Sequence, residues 1–405
     1  MRPTGGHELC KGVAVESSLA WLLRPLSVET FLDEIWGATR YHVKRRQPDY
    51  FDRLLPGPSA AETLLEHVRP EPSAVRLVRG GADKDPGTYR LADGTLDLER
   101  VRGGLADGYT IVLNGLERYV RGIASLSHSI EVELNYPTRV NAYVTPPGSR
   151  GFVPHYDPHD VLVLQIHGSK TWRLSNDAAV PPHEMERRKG VGSDWVAPPT
   201  EVTLEAGDTL YVPRGQVHSA ETDAGSSVHL TVGMHAPTVL TLLTHLLHAL
   251  SLRDDRVHAR LSPRHLDDAG ARAGLAGLVR DTLRDLEDPS VIAAGLDAMA
   301  EVLVRRGRCP PVGQLSETDG IDGRTLVAKH QPLYSRVTQV ADGVALQFAQ
   351  LSMRASADHE EALRFLSGST GRFRVGDLPG LTAAQQAALA RTLILNGFLV
   401  RLSDD

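Results

Sequence analysis

His155 and Asp157 are separated by one residue. On an extended chain positions i and i+2 point to the same side, so an imidazole and a carboxylate placed there converge on one point. A second imidazole, His218, closes the segment Gly207-Asp-Thr-Leu-Tyr-Val-Pro-Arg-Gly-Gln-Val-His218. Two imidazoles and one carboxylate on one side of a metal leave positions open for a cosubstrate and oxygen, as in non-haem Fe(II) oxygenases. The His-x-acid spacing alone is weak evidence: with 17 histidines and 50 acids, about one or two matches arise by chance. Two others occur, His265-Leu266-Asp267 and His359-Glu360-Glu361, and both fall where helices are expected to begin. In a helix i and i+2 do not share a face. His155 differs because β-like segments flank it, and His218 lies where a return strand brings it back.

A cation accompanies this set. Lys170 follows Asp157 by thirteen residues, just past Gly168-Ser169. Spacing alone permits an outward, solvated lysine. Alternation places it with Trp172 and Leu174, against Thr171 and Arg173, and so favours the inner face. A buried ammonium is costly unless it meets an anion, which suits a ligand with a remote carboxylate, such as 2-oxoglutarate. Asn141 and Tyr143 share one face of the preceding strand and Thr231 lies on a later one, each able to add a hydrogen bond. His229 is a candidate for the same interior. His159 reads as surface, His167 alternates with Gln165 and points inward in one register, and His235, His245 and His248 read as structural.

The elements that must hold these groups follow from pattern. Helical spacing runs from Leu19 to Leu55, with Trp21, Trp36 and Phe51 as apolar anchors, and a short helix is expected over Ala60–Val68. Short strands are expected at Ala74–Val78, Thr88–Leu91 and 109–114, then a helix over Leu116–Ser129. From Val132 to Met234 the pattern is β, with strands at Thr138–Val144, Val161–His167, Lys170–Leu174, Thr200–Leu204, Thr209–Val212 and Val228–Met234. Gly168-Ser169 reads as a hairpin turn, and 175–199 as a loop or lid. Many short antiparallel strands with an inward metal set indicate a double-sheet jelly roll of the cupin kind.

At Pro237 the character changes to helices over Thr238–Arg253, Ser262–Ala273, Leu275–Leu286 and Ser290–Arg305, the first striped by Leu240, Leu243, Leu247 and Leu250. Such a block either covers the barrel or pairs with a copy of itself. A linker at 307–323 precedes a last block with strands Leu333–Val340, Val344–Gln347 and Leu399–Leu402 and helices His359–Ser367 and Thr382–Asn396. This resembles a small winged-helix module. It carries nine basic against seven acidic residues, and its candidate recognition helix holds only Arg391. A DNA-reading helix offers several phosphate and base-edge donors, so packing or partner docking is expected there instead of direct DNA binding. The fold class is therefore α+β, with domains over 1–236, 237–322 and 323–405.

Composition adds bounds. The 405 residues suit two or three domains, and 41% apolar with 23% charged residues is an ordinary globular balance. A net charge of −6 gives no general reason to expect nucleic acid or membrane binding. Only Cys10 and Cys309 are present, which fits a reducing compartment. No basic-then-apolar leader and no apolar run of membrane-spanning length is evident. A soluble, cytoplasmic protein is the expectation.

The run Asn-x-Tyr-x-Thr-Pro-Pro-Gly-Ser-x-Gly-Phe-x-Pro-His-Tyr-Asp, then Leu-Gln-x-x-Gly-x-Lys-x-Trp-Arg and the segment ending at His218, resembles the Jumonji-C ribosomal oxygenases. The likeness is greater to members that hydroxylate histidine in ribosomal proteins than to the bacterial arginine hydroxylase. Its motifs cover roughly 135–235, and the layout of barrel, helical block and winged helix extends it more coarsely. The resemblance implies that His155, Asp157 and His218 hold Fe(II). It implies that Lys170 anchors the distal carboxylate of 2-oxoglutarate in a pocket lined by Asn141 and Tyr143. Oxygen is then the co-oxidant, and succinate and carbon dioxide the by-products. It also implies homodimerisation through 237–310, with Leu240, Leu243 and Leu247 as interface residues. One departure stands out: Gly233 lies where relatives place a Ser or Thr that touches the cosubstrate, and Thr231 is the candidate to compensate.

The favoured activity is hydroxylation of a His or Arg side chain in a ribosomal protein. The alternatives are hydroxylation of a small molecule or biosynthetic peptide, lysine demethylation, and a non-enzymatic scaffold. Formaldehyde release from methylated peptide marks the third, and absence of iron-dependent 2-oxoglutarate turnover marks the last.

Overall fold

A computed structural model describes residues 18–56, 59–68, 71–177, 198–309 and 318–402. Most of the stretch read as a loop or lid (178–197), the core of the expected linker (310–317) and the N-terminal 17 residues lie outside these. The chain divides into two compact units, one reaching to Leu134 and resuming over Thr138–His235, the other comprising Asn135–Pro137 and Ala236–Asp405.

The first unit is built on eleven strands among the described residues. These are β1 (Tyr41–Val43), β2 (Val75–Arg79), β3 (Ala82–Asp83), β4 (Thr110–Leu113), β5 (Thr138–Thr145), β6 (Asp160–His167), β7 (Ser169–Leu174), β8 (Thr200–Glu205), β9 (Thr209–Val212), β10 (His218–Glu221) and β11 (Ser227–Met234). The large sheet runs β1-β9-β6-β11-β5-β4-β2-β3 and the small one β10-β7-β8, with antiparallel pairing throughout.

Period-two alternation explains the packing. On β6, Leu162, Leu164 and Ile166 join an outer core with Leu19, Leu64, Val101, Ile123 and Ile130, so that face is covered by helices Ser18–Leu23, Ala60–Val68, Leu98–Ala106 and Arg121–Leu134. Val161 and Val163 of the same strand join Trp172, Leu174, Leu204, Leu210 and Val212 in a second cluster between the sheets. A strand buried on both faces reads as a continuous apolar run, and β6 does. Helix Arg121–Leu134 is tied to the start of β5 by buried Glu131, whose carboxylate accepts from the Thr138 amide at 2.9 Å and contacts His128 Nδ1 at 2.9 Å.

The expected hairpin at Gly168-Ser169 is corrected by this topology. β6 belongs to the large sheet and β7 to the small one, so the turn is a corner at which the chain changes sheets. A tight Gly-containing turn between two apolar runs has the same local chemistry in either case. Gly168 has φ +65°, and a Cβ there would collide with the Ser226 carbonyl oxygen. Thr88–Leu91 is likewise no strand: residues Pro86–Thr88 form a 3-10 turn, and only Arg90 bridges, to Leu96.

In the second unit, helices span Val239–Ser251, Ala269–Leu286 and Pro289–Arg306. Thr238 caps the first through a reciprocal box with Thr241, while Asp268 and Asp288 cap the others. The two helices expected over 262–286 are one, because Asp268 supplies the start signal six residues later than expected. His265 therefore lies in the turn before it. The last part holds two three-stranded sheets, Ser335–Val340/Gly343–Phe348/Leu351–Ala355 and Arg372–Arg374/Leu326–Lys329/Leu399–Arg401, around helices Glu360–Gly368 and Ala383–Leu395. The strands Leu326–Lys329, Leu351–Ala355 and Arg372–Arg374 had no clear sequence signal, being short and partly polar. No helix among the described residues is long and apolar enough to cross a membrane.

Gly168→Ala is expected to cost about 2–4 kcal/mol, since it adds a left-handed backbone penalty to a clash with main chain. A lowered denaturation midpoint at unchanged m-value checks it.

Candidate metal centre and anion pocket

The three groups picked from spacing meet. One donor atom each from His155, Asp157 and His218 lies within 4.8 Å of the others, the only such group of three found among the described residues. His218 Nε2 is 3.6 Å from Asp157 Oδ2, and the two imidazole centroids are 4.5 Å apart. Main chain makes the convergence. His155 N donates to the His218 carbonyl at 3.0 Å and His218 N to the His155 carbonyl at 2.8 Å, an isolated two-residue bridge. The Asp157 carbonyl accepts from Gly215 N at 2.8 Å. His218 opens β10, which is held on β7 opposite Leu174.

Both imidazoles are oriented by the same local device. His155 Nδ1 lies 2.9 Å from the Val153 carbonyl and His218 Nδ1 lies 2.9 Å from the Gln216 carbonyl. A carbonyl only accepts, so each Nδ1 carries the proton and each Nε2 presents a lone pair. Metal-binding histidines are arranged in this way. The donor set of two neutral imidazole nitrogens and one carboxylate fits a divalent first-row metal.

A cavity of about 290 Å³ opens beside this set, lined by Asn141, Tyr143, Lys170, Trp172, His229 and Thr231 among others. Lys170 is 4% exposed, and its one hydrogen bond among the described residues goes to Thr145 Oγ1 at 2.8 Å. Thr145 also accepts from Thr110 Oγ1 at 3.2 Å. Burial pulls the Lys170 ammonium down to about 7. His229 is held well below the usual imidazole range by burial and by the neighbouring Lys170 charge, so it is neutral. Burial raises the Tyr143 phenol, which hydrogen-bonds with Thr231 and Asn141. Asn141 Oδ1 accepts from Gly115 N at 3.0 Å, which leaves its amide protons for the cavity side. His229 stacks on Tyr143, centroids 4.7 Å apart and planes 4° apart, and meets the edge of Trp172.

The buried nitrogens without a hydrogen-bond partner among the described residues include Trp172 Nε1 and His229 Nδ1. With the spare protons of Lys170, the Trp172 N–H and the neutral His229 ring make a buried polar lining beside the candidate metal-ligand set. Buried donors carry a cost unless a ligand meets them, and a carboxylate-bearing ligand fits.

Alternation would have exposed Thr145, since Asn141, Tyr143 and Thr145 follow at i, i+2 and i+4 on β5. His229 and Trp172 also lie in the pocket. His159, expected at the surface, lines the cavity together with His235. His167 does not.

Residues 123–242 match the model of the JmjC domain. The chain carries a JmjC domain. Among curated proteins, the chain is 30% identical over 252 residues to the bifunctional lysine-specific demethylase and histidyl-hydroxylase NO66 of Drosophila mojavensis, covering 58% of this chain and 28% of that protein. The Drosophila grimshawi protein of the same name is 31% identical over 231 residues, covering 56% and 31%. The match thus spans under a third of those relatives' length. Among solved structures, E. coli ycfD superposes with TM-score 0.60 at 17% identity, covering 93% of this chain and 98% of that one. The E. coli ribosomal oxygenase YcfD in complex with cobalt and 2-oxoglutarate gives TM-score 0.55 at 17% identity, covering 94% and 99%. The resemblance read from the sequence is borne out, and the barrel is a JmjC fold of the cupin kind.

Lys170 carries a stability cost in the ligand-free protein. Its folded value is depressed from 10.5 to about 7, so the unfolded chain binds more protons between those values. Stability therefore rises with pH across that window, and the penalty is complete below about pH 7. Lys170→Met is expected to stabilise the ligand-free protein at pH 7 by about 1–4 kcal/mol, a gain that shrinks towards pH 10. Thermal melts across that range check it.

Proposed function

We propose that the protein is an Fe(II)- and 2-oxoglutarate-dependent oxygenase that hydroxylates a His or Arg side chain of a ribosomal protein, with O2 as co-oxidant. The observation that carries this reading is the combination, in one cavity, of the three-residue metal-ligand set with a buried ammonium whose spare protons face the interior. The likeness to NO66 histidyl-hydroxylases and to the YcfD ribosomal oxygenase supports the substrate class.

In this reading His155, Asp157 and His218 hold the iron through two Nε2 atoms and a carboxylate oxygen. Lys170 and Thr145 take the distal carboxylate of 2-oxoglutarate. Asn141, Tyr143 and Thr231 hydrogen-bond around the cosubstrate and the entering side chain. Ferrous iron with 2-oxoglutarate supplies the oxidising power that converts C–H to C–OH, releasing succinate and carbon dioxide. The chain's own task is orientation and dryness. The carbonyls of Val153 and Gln216 fix both imidazoles, Trp172 and the inter-sheet apolar cluster keep water from the inner wall, and the pocket orients the target C–H.

The remaining parts belong to the same proposal. The barrel with its N-terminal helices (1–236) carries the chemistry. The helical block (237–322) pairs with a second copy, since Leu240, Leu243 and Leu247 are 48%, 37% and 40% exposed. The C-terminal part (323–405) acts as a winged-helix-like docking module. Arg391 on its helix Ala383–Leu395 donates to the Ile321 carbonyl at 3.1 Å, which favours packing over DNA reading. The proposed compartment is the cytoplasm, where assembled ribosomes work.

His155→Ala and Asp157→Ala are each expected to lower iron-dependent conversion of 2-oxoglutarate to succinate by about 100-fold or more. Lys170→Met is expected to raise the KM for 2-oxoglutarate about 10- to 100-fold, the worth of a charge-assisted hydrogen bond, with a smaller change in kcat. In the native protein that KM should climb as pH passes about 7, because the anion then binds only with uptake of a proton at Lys170. Ribosomal proteins from a deletion strain should lack a species about 16 Da heavier than the unmodified chain; a complete set of such species in that strain would sink the substrate assignment.

A further inference from the structure

We propose that His159 is a specificity-determining residue whose imidazole fills the space over Gly233 and forms the outer wall against which the substrate side chain packs. The proposal rests on the oxygenase reading, with Lys170 as the cosubstrate anchor.

Gly233 has ordinary strand backbone and is absent from the left-handed glycines of the chain. Conformational freedom is therefore not what the position requires. Space is. A Cβ there would lie 2.7 Å from both Cδ2 and Nε2 of His159. The His159 ring in turn packs on His235, centroids 4.3 Å apart and planes 30° apart, and both line the cavity.

The register fixes how far out this wall lies. β5 and β11 pair Arg139 with Gly233, Asn141 with Thr231 and Tyr143 with His229. Thr145, the partner of Lys170, continues the β5 series at the inner end. From Thr145 to Arg139 is six residues, or about 20 Å of strand. A five-carbon diacid spans only about 6–7 Å. Held at Lys170, it stops well short of the Arg139–Gly233 row. The group that meets His159 is therefore the substrate. On the same measure, a hydroxyl at position 233 would not reach the cosubstrate to donate to it, and no compensation by Thr231 is needed.

His159 lies two residues beyond Asp157, at the threshold of β6. The segment that supplies the carboxylate to the metal set thus also supplies the wall. Any side chain at 233 pushes the imidazole aside and reshapes the opening, so positions 159 and 233 select substrates as a unit.

The test uses His159→Ala, His159→Phe, Gly233→Ser and the double variant Gly233→Ser/His159→Ala in the full chain. Thermal melts need no substrate. Gly233→Ser is expected to lower the Tm by a few degrees in the native background and to have little effect once His159 is Ala. Products 16 Da heavier, among proteins and metabolites alike, are then counted in an extract of a deletion strain. His159→Ala and Gly233→Ser are expected to lower kcat/KM for the native product about tenfold or to change which products form, with His159→Phe within about threefold because the ring is kept. The KM for 2-oxoglutarate should move less than about twofold. Unchanged products and kcat/KM in His159→Ala, or no coupling between 159 and 233 in the melts, would overturn the proposal. Loss of iron-dependent 2-oxoglutarate turnover in the native protein would instead count against the oxygenase reading.

Discussion

The first unit is organised around an ammonium it has no structural reason to bury. Lys170 Nζ is enclosed among apolar and aromatic side chains with one hydroxyl as partner. A cation in such a place costs free energy until an anion arrives. Its surroundings lower the cost without removing it. His229 and Tyr143 are both kept uncharged, so neither repels the lysine nor neutralises it. The result is a pocket with a standing demand for a carboxylate, which a lysine paired with a protein acid would not have.

That demand can be met only because the chain leaves one sheet for the other at Gly168. Lys170 stands on the small sheet and Thr145 on the large one, and their hydrogen bond crosses the interior. The candidate metal-ligand set spans the same divide: His218 opens a strand of the small sheet, while His155 and Asp157 come from the connection between β5 and β6 of the large one. A continuous hairpin of β6 and β7 would keep both strands in one layer, with no interior between them. The corner is thus a functional feature as much as a topological one.

What the sequence disclosed depended on how local each signal is. The i, i+2 spacing of His155 and Asp157 and the alternation of Lys170 with Trp172 and Leu174 are settled within a few residues, and both groups point inward. The sheet change at Gly168 is non-local, since its chemistry is that of any tight turn and the partner strands lie tens of residues away. Thr145 was within reach of the alternation already applied to Asn141 and Tyr143, but the Pro146-Pro147 pair following it reads as the end of a strand. His159 was opaque for another reason. Its role depends on the missing side chain of Gly233, 74 positions later, and a vacancy leaves no pattern in composition or period. The late start of the helix Ala269–Leu286 and the short strands of the C-terminal part are boundary effects, where caps and tertiary packing outweigh propensity.

The two imidazoles are preorganised by main chain. Each donates Nδ1–H to the carbonyl two residues before it, and the two histidines bridge each other through backbone amides. Their convergence therefore draws on hydrogen bonds of the chain itself. This separates the centre from structural zinc sites, where binding free energy is folding free energy. Here the core between the sheets and the helices packed outside bear the stability. Two imidazoles and one carboxylate would leave open the positions that a closed structural site fills.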